Sequence, residues 1–433
     1  MAADATKSLS SDVSGLRQVD IAIIGGGMVG LSLALLLAAQ RSDWNVLVVE
    51  AFAPPGDMEP GYRPSFDARS TALSDSSRDI FQQLGLWQQL SAHVADIAQV
   101  HVSDRGHIGS TRLSASEQGV ASLGFVVENQ WLGSVLLGAV QQQPRIDMAA
   151  PARLVALQAK RDSMSFVLDT GAEYQTSLLV VADGAQSETR DKLGIRAKTK
   201  DYGKSALIAN VSLEKPHQNI AFERFTDQGP MALLPLTDLQ GESRSALVWT
   251  MSPEQAEQLQ QANEAVFLAE LQQRFGYRLG KFQRVGERFC YPLKLIETTE
   301  QVRRNLVVIG NAAHSLHPVA GQGFNLSLRD AAMLADVLAG ADMRQQPLGD
   351  LSVLEAYLQR QQKDQRQTTL LSDLLPTLFA FKTAPIALAR NIGLLALDAV
   401  PPLRNQFARL GMGLDTRGSR LVSQSGREGD VRG

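Results

Sequence analysis

The sequence predicts an α/β protein: a dinucleotide-type βαβ unit at the start, an inserted antiparallel sheet, and helices toward the C-terminus. Three observations predict it. An apolar strand runs into a glycine-rich turn and an apolar helix near the N-terminus. Segments of β-rich character interrupt the middle of the chain. A second strand, glycine-rich turn and helix start recur late, around residues 306–338. At 433 residues and 44% hydrophobic content, the chain has ample material for more than one structural unit.

The first element is Val19 to Ile24, read as a buried strand, followed by Gly25-Gly-Gly-Met-Val-Gly30 and a helix-like run over 31–39. Gly25 permits the tight turn, Gly27 lets backbone approach a pyrophosphate, and Gly30 allows close helix–strand packing, which is the Rossmann-like pattern. A second apolar strand, Val46 to Val49, ends at Glu50, about 20 residues past the last glycine, where a carboxylate accepts hydrogen bonds from an adenosine ribose. Any glycine-rich turn can imitate a lone GxGxxG. Strand, helix, second strand and terminal acid together point to a dinucleotide site, and Glu50 suits the unphosphorylated ribose of FAD or NAD.

Between the glycine-rich turns lies Leu178 to Arg190, an apolar strand running into Asp183-Gly184, with Ser187 and Arg190 opening a helix. Asp-Gly alone is the commonest kind of turn. The late stretch runs from Gly310 to Asn325, after Leu306 to Ile309. Its three glycines, its proline and its small residues expect something to approach the backbone closely.

The organisation expected is discontinuous. Residues 19–98, 124–195 and 285–340 form the nucleotide-binding domain. Residues 99–123 and 196–284 form a substrate-binding β-sheet domain, with candidate strands at 206–212, 231–234 and 245–250. Residues 341–418 read as helical, punctuated by Pro376, Pro385 and Pro401-Pro402. The lead, 1–18, and the tail, 419–433, are polar and read as disordered.

Composition excludes several classes. A net charge of −3 gives no field for nucleic acid. The lone Cys290 excludes an internal disulfide, suits a reducing cytoplasm, and reads as a small buried hydrophobe. No histidine spacing of the zinc type appears, so no metal is expected. The apolar stretch 386–400 is broken by Arg390, Asn391 and Asp398, and residues 1–17 lack an apolar core of signal-peptide type. Leu370-Leu371, Leu374-Leu375, Leu378-Phe379 and Phe381 form a dense apolar cluster, read first as a packed helix face and otherwise as a surface for lipid or substrate.

Taken together, the three motifs resemble those of the flavin-dependent aromatic hydroxylases of the para-hydroxybenzoate hydroxylase type, which carry GxGxxG with a distal Glu, then DGxxSxxR, then GDAAHxxxPxxGQGxN. The strings at 66–73 (FDARSTAL), 101–107 (HVSDRGH) and 222–226 (FERFT), with Gly229-Pro230 and Leu233-Leu-Pro235, resemble the ubiquinone-biosynthesis branch.

The resemblance implies a glutathione-reductase-type FAD domain, FAD as cofactor, and NADH or NADPH as a transient co-substrate. It further implies O2 addition to a C4a-hydroperoxyflavin that hydroxylates a polyprenylated phenol of the 2-polyprenyl-6-methoxyphenol type. By the same resemblance, Gly25, Gly27 and Gly30 cradle the pyrophosphate and Glu50 holds the ribose. Arg69 reaches the flavin phosphates, and Asn129, Asp183 and Gly184 touch the cofactor. Gly310 binds the cofactor and Asn311 holds the ribityl chain, Asn311 standing where the family has Asp; an amide oxygen still accepts that hydrogen bond while the negative charge is lost. Pro318, Gly321, Gln322, Gly323 and Asn325 line the flavin side, and His317 with Pro318 are the catalytic candidates. His314 reads as structural.

The lone cysteine and the lack of a signal-type segment lead to the cytoplasm as the expected compartment, and a polyprenyl tail implies peripheral contact at the inner face of the cytoplasmic membrane or other ubiquinone-biosynthesis proteins as partners. Two other activities stay open: hydroxylation of a small soluble aromatic acid, and a flavoprotein reductase that does not oxygenate.

Overall fold

The computed structural model describes residues 15–53, 69–104, 110–226, 228–316 and 321–380. His107, His317, Pro318, most of the N-terminal lead and everything after 380 lie outside those residues.

Arg17–Ile24 lies in the middle of a parallel sheet. Val46–Val49 and then Ile146–Ala149 flank it on one side, and Glu173–Val181 and then Leu306–Val308 on the other. A parallel sheet covered on both faces has continuous apolar strands instead of alternating ones. Accordingly Ile21, Ile23, Val46 and Val48 enter one core, while Ala22, Ile24, Leu47 and Val49 enter the other. The first face is covered by Met28–Gln40, which packs on Asn129–Gln141 and Gln322–Met343. Met28–Gln40 is buried from Gly30 to Leu37 because helices lie on either side of it. The second face is closed by an antiparallel arm, Leu154–Ala159 and Met164–Leu168, that runs into Glu173–Val181.

Among the described residues the second sheet has nine strands, built around Ala197–Leu213. Helices Pro253–Gln261 and Glu264–Phe275 close one face, where Leu207, Leu233, Leu247 and Trp249 meet Phe267 and Leu271. The other face turns toward a small sheet of Ser70–Leu73, Phe125–Glu128 and Val94–Asp96, with Ala221 and Ala246 packed near Ile97 and Val126. This face adjoins the first glycine-rich region because the small sheet leads directly into Asn129–Gln141, which packs on Met28–Gln40.

Three expectations are corrected. Phe289–Thr298, expected in the nucleotide-binding part, pairs along the long strand Ala197–Leu213 and belongs to the larger sheet. Its far end also pairs with His314–Ser315, so it links that sheet to the late glycine-rich stretch. The larger sheet is not wholly antiparallel, since Ile220–Phe225 runs parallel to Gln99–Asp104, a pairing that a long connection permits. Helix Leu351–Ala380 continues past Pro376, which therefore does not punctuate it. Within the apolar cluster expected there, Leu370 is 64% exposed.

Candidate cofactor and substrate site

Gly25, Gly30, Asp183 and Gly310 meet at one end of the parallel sheet. Gly25 has φ +114°, and a Cβ there would stand 2.4 Å from the Ala182 carbonyl oxygen, so the first turn presses on the loop that carries Asp183. A Cβ on Gly30 would stand 1.9 Å from the Gly25 oxygen, which fixes the helix against its own turn. Gly310, at φ +63°, would bring a Cβ within 3.2 Å of Val29 in the first turn of Met28–Gln40. Gly27 differs: a Cβ there meets no protein atom within 4 Å.

The charges at this end suit an anion. Helix Met28–Gln40 begins at Gly27 with no side-chain cap and no acid in its first turn, and Gln322–Met343 begins the same way at Gly321. Uncapped first-turn N–H groups with the positive end of the helix dipole hold phosphate or a ring edge gaining negative charge. Asp183 accepts from the Thr189 N–H at 3.1 Å through one oxygen, and its other carboxylate oxygen is buried with no partner among the described residues. An orphaned buried acceptor suits a hydroxyl-bearing ligand. These features fit a dinucleotide cofactor.

The remaining expected residues fall around this meeting of loops. Glu50 accepts the Gly26 N–H at 2.7 Å and the Phe52 N–H at 3.0 Å, so the first loop is tied to its acid. Gly184 lies at φ +88°, in the turn after Asp183. Asn129 donates its N–H to the Arg69 carbonyl at 2.7 Å, and its side-chain oxygen accepts from Thr71 at 2.6 Å. The Arg69 side chain is exposed, donates to the Tyr291 hydroxyl at 2.8 Å, and lies over the Phe289 and Tyr291 rings of the larger sheet.

Asn311 is exposed in the short 3-10 turn Gly310–Ala312. Gly321, Gln322 and Gly323 open the helix Gln322–Met343; Gly321, at φ +62°, packs so that a Cβ would stand 2.9 Å from Ala72. Asn325 departs from the expected direct contact. Its side-chain oxygen accepts from the Ser74 N–H and the Ser77 hydroxyl, and its NH2 donates to the Ala72 and Gly321 carbonyls, so the buried amide is saturated within the protein.

Sequence reasoning missed three ties. Gly26 is needed beside Glu50, where a Cβ would stand 2.8 Å from the Glu50 side chain. Arg190, buried, donates to the Ala312 carbonyl at 3.1 Å and so clamps the second loop to the third. Glu128, next to Asn129, forms a buried pair with Arg244 of the larger sheet. Gly26 lay inside the glycine run and was legible there; the other two depend on distant partners.

His314 is buried with its ring on Asp330. Burial pushes its pKa down, but the charge and hydrogen bond of Asp330 outweigh this and hold it above the ordinary range. Gln365 donates to the other Asp330 oxygen at 3.2 Å, which links the third loop to helix Leu351–Ala380. Cys290 donates to the Ala256 carbonyl, and burial raises its thiol, the behaviour of a packed side chain.

The FAD binding domain family matches residues 18–366. Over 398 residues the chain is 35% identical to the ubiquinone hydroxylase UbiL of Rhodospirillum rubrum, covering 92% of this chain and 90% of that protein. It is 32% identical over 401 residues to the 3-demethoxyubiquinol 3-hydroxylase of Escherichia coli, covering 92% of this chain and 99% of that one. Among solved structures, the p-nitrophenol 4-monooxygenase PnpA of Pseudomonas putida shares the fold, with a TM-score of 0.73 at 17% identity over 94% of this chain and 100% of that chain.

Proposed function

We propose, from the premise that this chain belongs to the FAD binding domain family, that it hydroxylates the aromatic ring of a polyprenylated phenol in ubiquinone biosynthesis. It is an FAD-dependent monooxygenase, similar across more than nine-tenths of its length to ubiquinone-pathway hydroxylases. A phenol of the 2-polyprenyl-6-methoxyphenol type is the substrate this reading favours. FAD, when bound, would supply electron uptake from NADH or NADPH and activation of O2, by which one oxygen atom would pass to the ring and the other leave as water.

The observation that carries the reading is the meeting of three loops, with Gly25 against Ala182 and Gly310 against Val29. In this reading Gly25, Gly27 and Gly30 take the pyrophosphate on the first helix N-terminus, and Glu50 takes the adenosine ribose. Asp183 with Gly184 presents its orphaned oxygen to the cofactor. Asn311 and Gly310 hold the ribityl chain, and Gly321, Gln322 and Gly323 set a second helix N-terminus at the ring edge, favouring negative charge there. Arg69 and Asn129 close the cofactor's flank where the small sheet meets Tyr291. His317 and Pro318, outside the described residues, are taken in this reading as flavin-flanking groups.

The test is direct. The protein should purify yellow or take up FAD, and consume O2 with NADH or NADPH in the presence of a prenylated phenol. Labelled O2 should place one oxygen in the ring. Deleting the gene should deplete ubiquinone as a prenylated phenol accumulates. Unchanged ubiquinone in a strain with no second hydroxylase overturns the pathway assignment.

The lipid tail brings the site of action to the inner face of the cytoplasmic membrane, by peripheral contact or by assembly with other ubiquinone-biosynthesis proteins. Among the described residues no helix is long and apolar enough to cross a membrane. Co-sedimentation with vesicles and co-purification with pathway proteins check this; failure of both overturns it.

A further inference from the structure

On the face of the larger sheet turned away from its two covering helices, one row of side chains stands apart. The strand register sets Glu223 beside Ala232, Ala232 beside Val248, and Val248 beside Ile208. Such cross-strand partners share a face. All four are partly exposed, whereas the next row toward one edge, Phe225, Pro230, Thr250 and Ala206, is buried. On the other side Ala221 and Ala246 are packed in the core shared with Ile97 and Val126. The row continues past Ile208 to Phe289 and past Glu223 to Val102, so it is an apolar strip interrupted by one carboxylate.

We propose that Glu223 binds the phenolic hydroxyl of the aromatic substrate and accepts its proton, with the ring lying along Ala232 and Val248. This rests on the aromatic-hydroxylase reading. A carboxylate among Ala, Val and Ile side chains costs stability unless it serves something else. In the step, the phenol O–H bond breaks, its electron pair stays on oxygen, and the proton moves to a Glu223 oxygen; the proton returns when the hydroxylated phenol leaves. A phenolate ring is richer in electrons and so more reactive toward an electrophilic oxygen.

Burial pushes the Glu223 carboxyl up to about 8, which makes its anion a base suited to a phenol, ordinarily near 10. Among the described residues, several charged groups on this side have partners or positions of their own. Glu128 and Arg244 pair with each other, Arg69 lies at the far edge on Tyr291, and Asp96 ends a strand of the small sheet. His101 is on the opposite face with Phe222, bonded to Arg278.

The experiment uses the full-length, FAD-loaded protein with 2-methoxy-6-prenylphenol as probe. Wild type should show a phenolate difference band on binding and a turnover rate that rises through a limb near pH 8. Glu223→Gln should keep its flavin and its melting temperature, lose the phenolate band and the limb, and turn over about 100-fold more slowly. Glu223→Asp should restore a weakened band and limb. A Glu223→Gln protein with an unchanged band and pH profile overturns the assignment while leaving the hydroxylase reading intact. Wild type that fails to hydroxylate the probe or any longer-tailed phenol overturns both.

Discussion

Arg244 lays its two terminal nitrogens against the two oxygens of Glu128, each at 3.3 Å, with both side chains sealed from solvent. The guanidinium also donates to the Thr237 carbonyl at 3.0 and 3.1 Å. Glu128 precedes Asn129 at the start of a helix on the nucleotide side, while Arg244 stands in the larger sheet. The pair therefore fixes the sheet that carries Glu223 against the part that carries the glycine loops.

Removing one partner strands a buried charge. Glu128→Leu should destabilise the protein by about 3–5 kcal/mol, read as a lower midpoint in urea. The double variant Glu128→Leu with Arg244→Met should recover most of that loss. A single variant as stable as wild type would show that the pair is not sealed in solution.

Gly30→Ala forces a methyl into the Gly25 carbonyl. Overpacking of this kind costs about 1–3 kcal/mol, and here it also displaces the turn proposed to hold the pyrophosphate. Purified Gly30→Ala should carry much less flavin per chain by visible absorbance and melt lower. Gly27→Ala, which meets no protein atom, should keep its melting temperature and lose flavin affinity alone.

Asn311→Leu should purify with much less bound FAD, because a hydrocarbon cannot accept the hydrogen bond proposed for the amide. Asn311→Asp should retain it. Full flavin occupancy in the leucine variant would remove Asn311 from the cofactor site.

The His314–Asp330 pair makes stability depend on pH. Its histidine pKa is raised above the ordinary 6.5 in the folded protein. Its contribution is full below about 6.5 and is lost as pH rises through the higher folded value. The melting advantage of wild type over His314→Asn should be largest below about pH 6.5 and shrink as pH rises above it. A constant advantage across that range would mean that the pair carries no proton-linked stability.

Legibility followed the range of each constraint. Gly25 and Gly30 were readable because the turn and helix that demand them are their immediate neighbours, and the apolar runs at 19–24, 46–49 and 178–181 betrayed a sheet covered on both faces. Arg190 gave no sign that it would clamp Ala312, nor Glu128 that it would seek Arg244, because both partners lie more than a hundred residues away. Phe289–Thr298 looked like part of the nucleotide unit because it adjoins that unit in sequence, and only its pairing with Ala197–Leu213 placed it elsewhere. Asn325 stood in a motif that suggests a cofactor contact, yet four internal hydrogen bonds use up its amide.

The Gly25 turn, the Asp183 loop and the Gly310 turn become neighbours only when Leu306–Val308 pairs beside Glu173–Val181. On the ribosome, the chain through the Gly310 turn must emerge before the proposed grip on flavin can close. Starving a cell of riboflavin should therefore leave translation of this protein untouched and act on the finished polypeptide, whose apo form would be the species exposed to proteases.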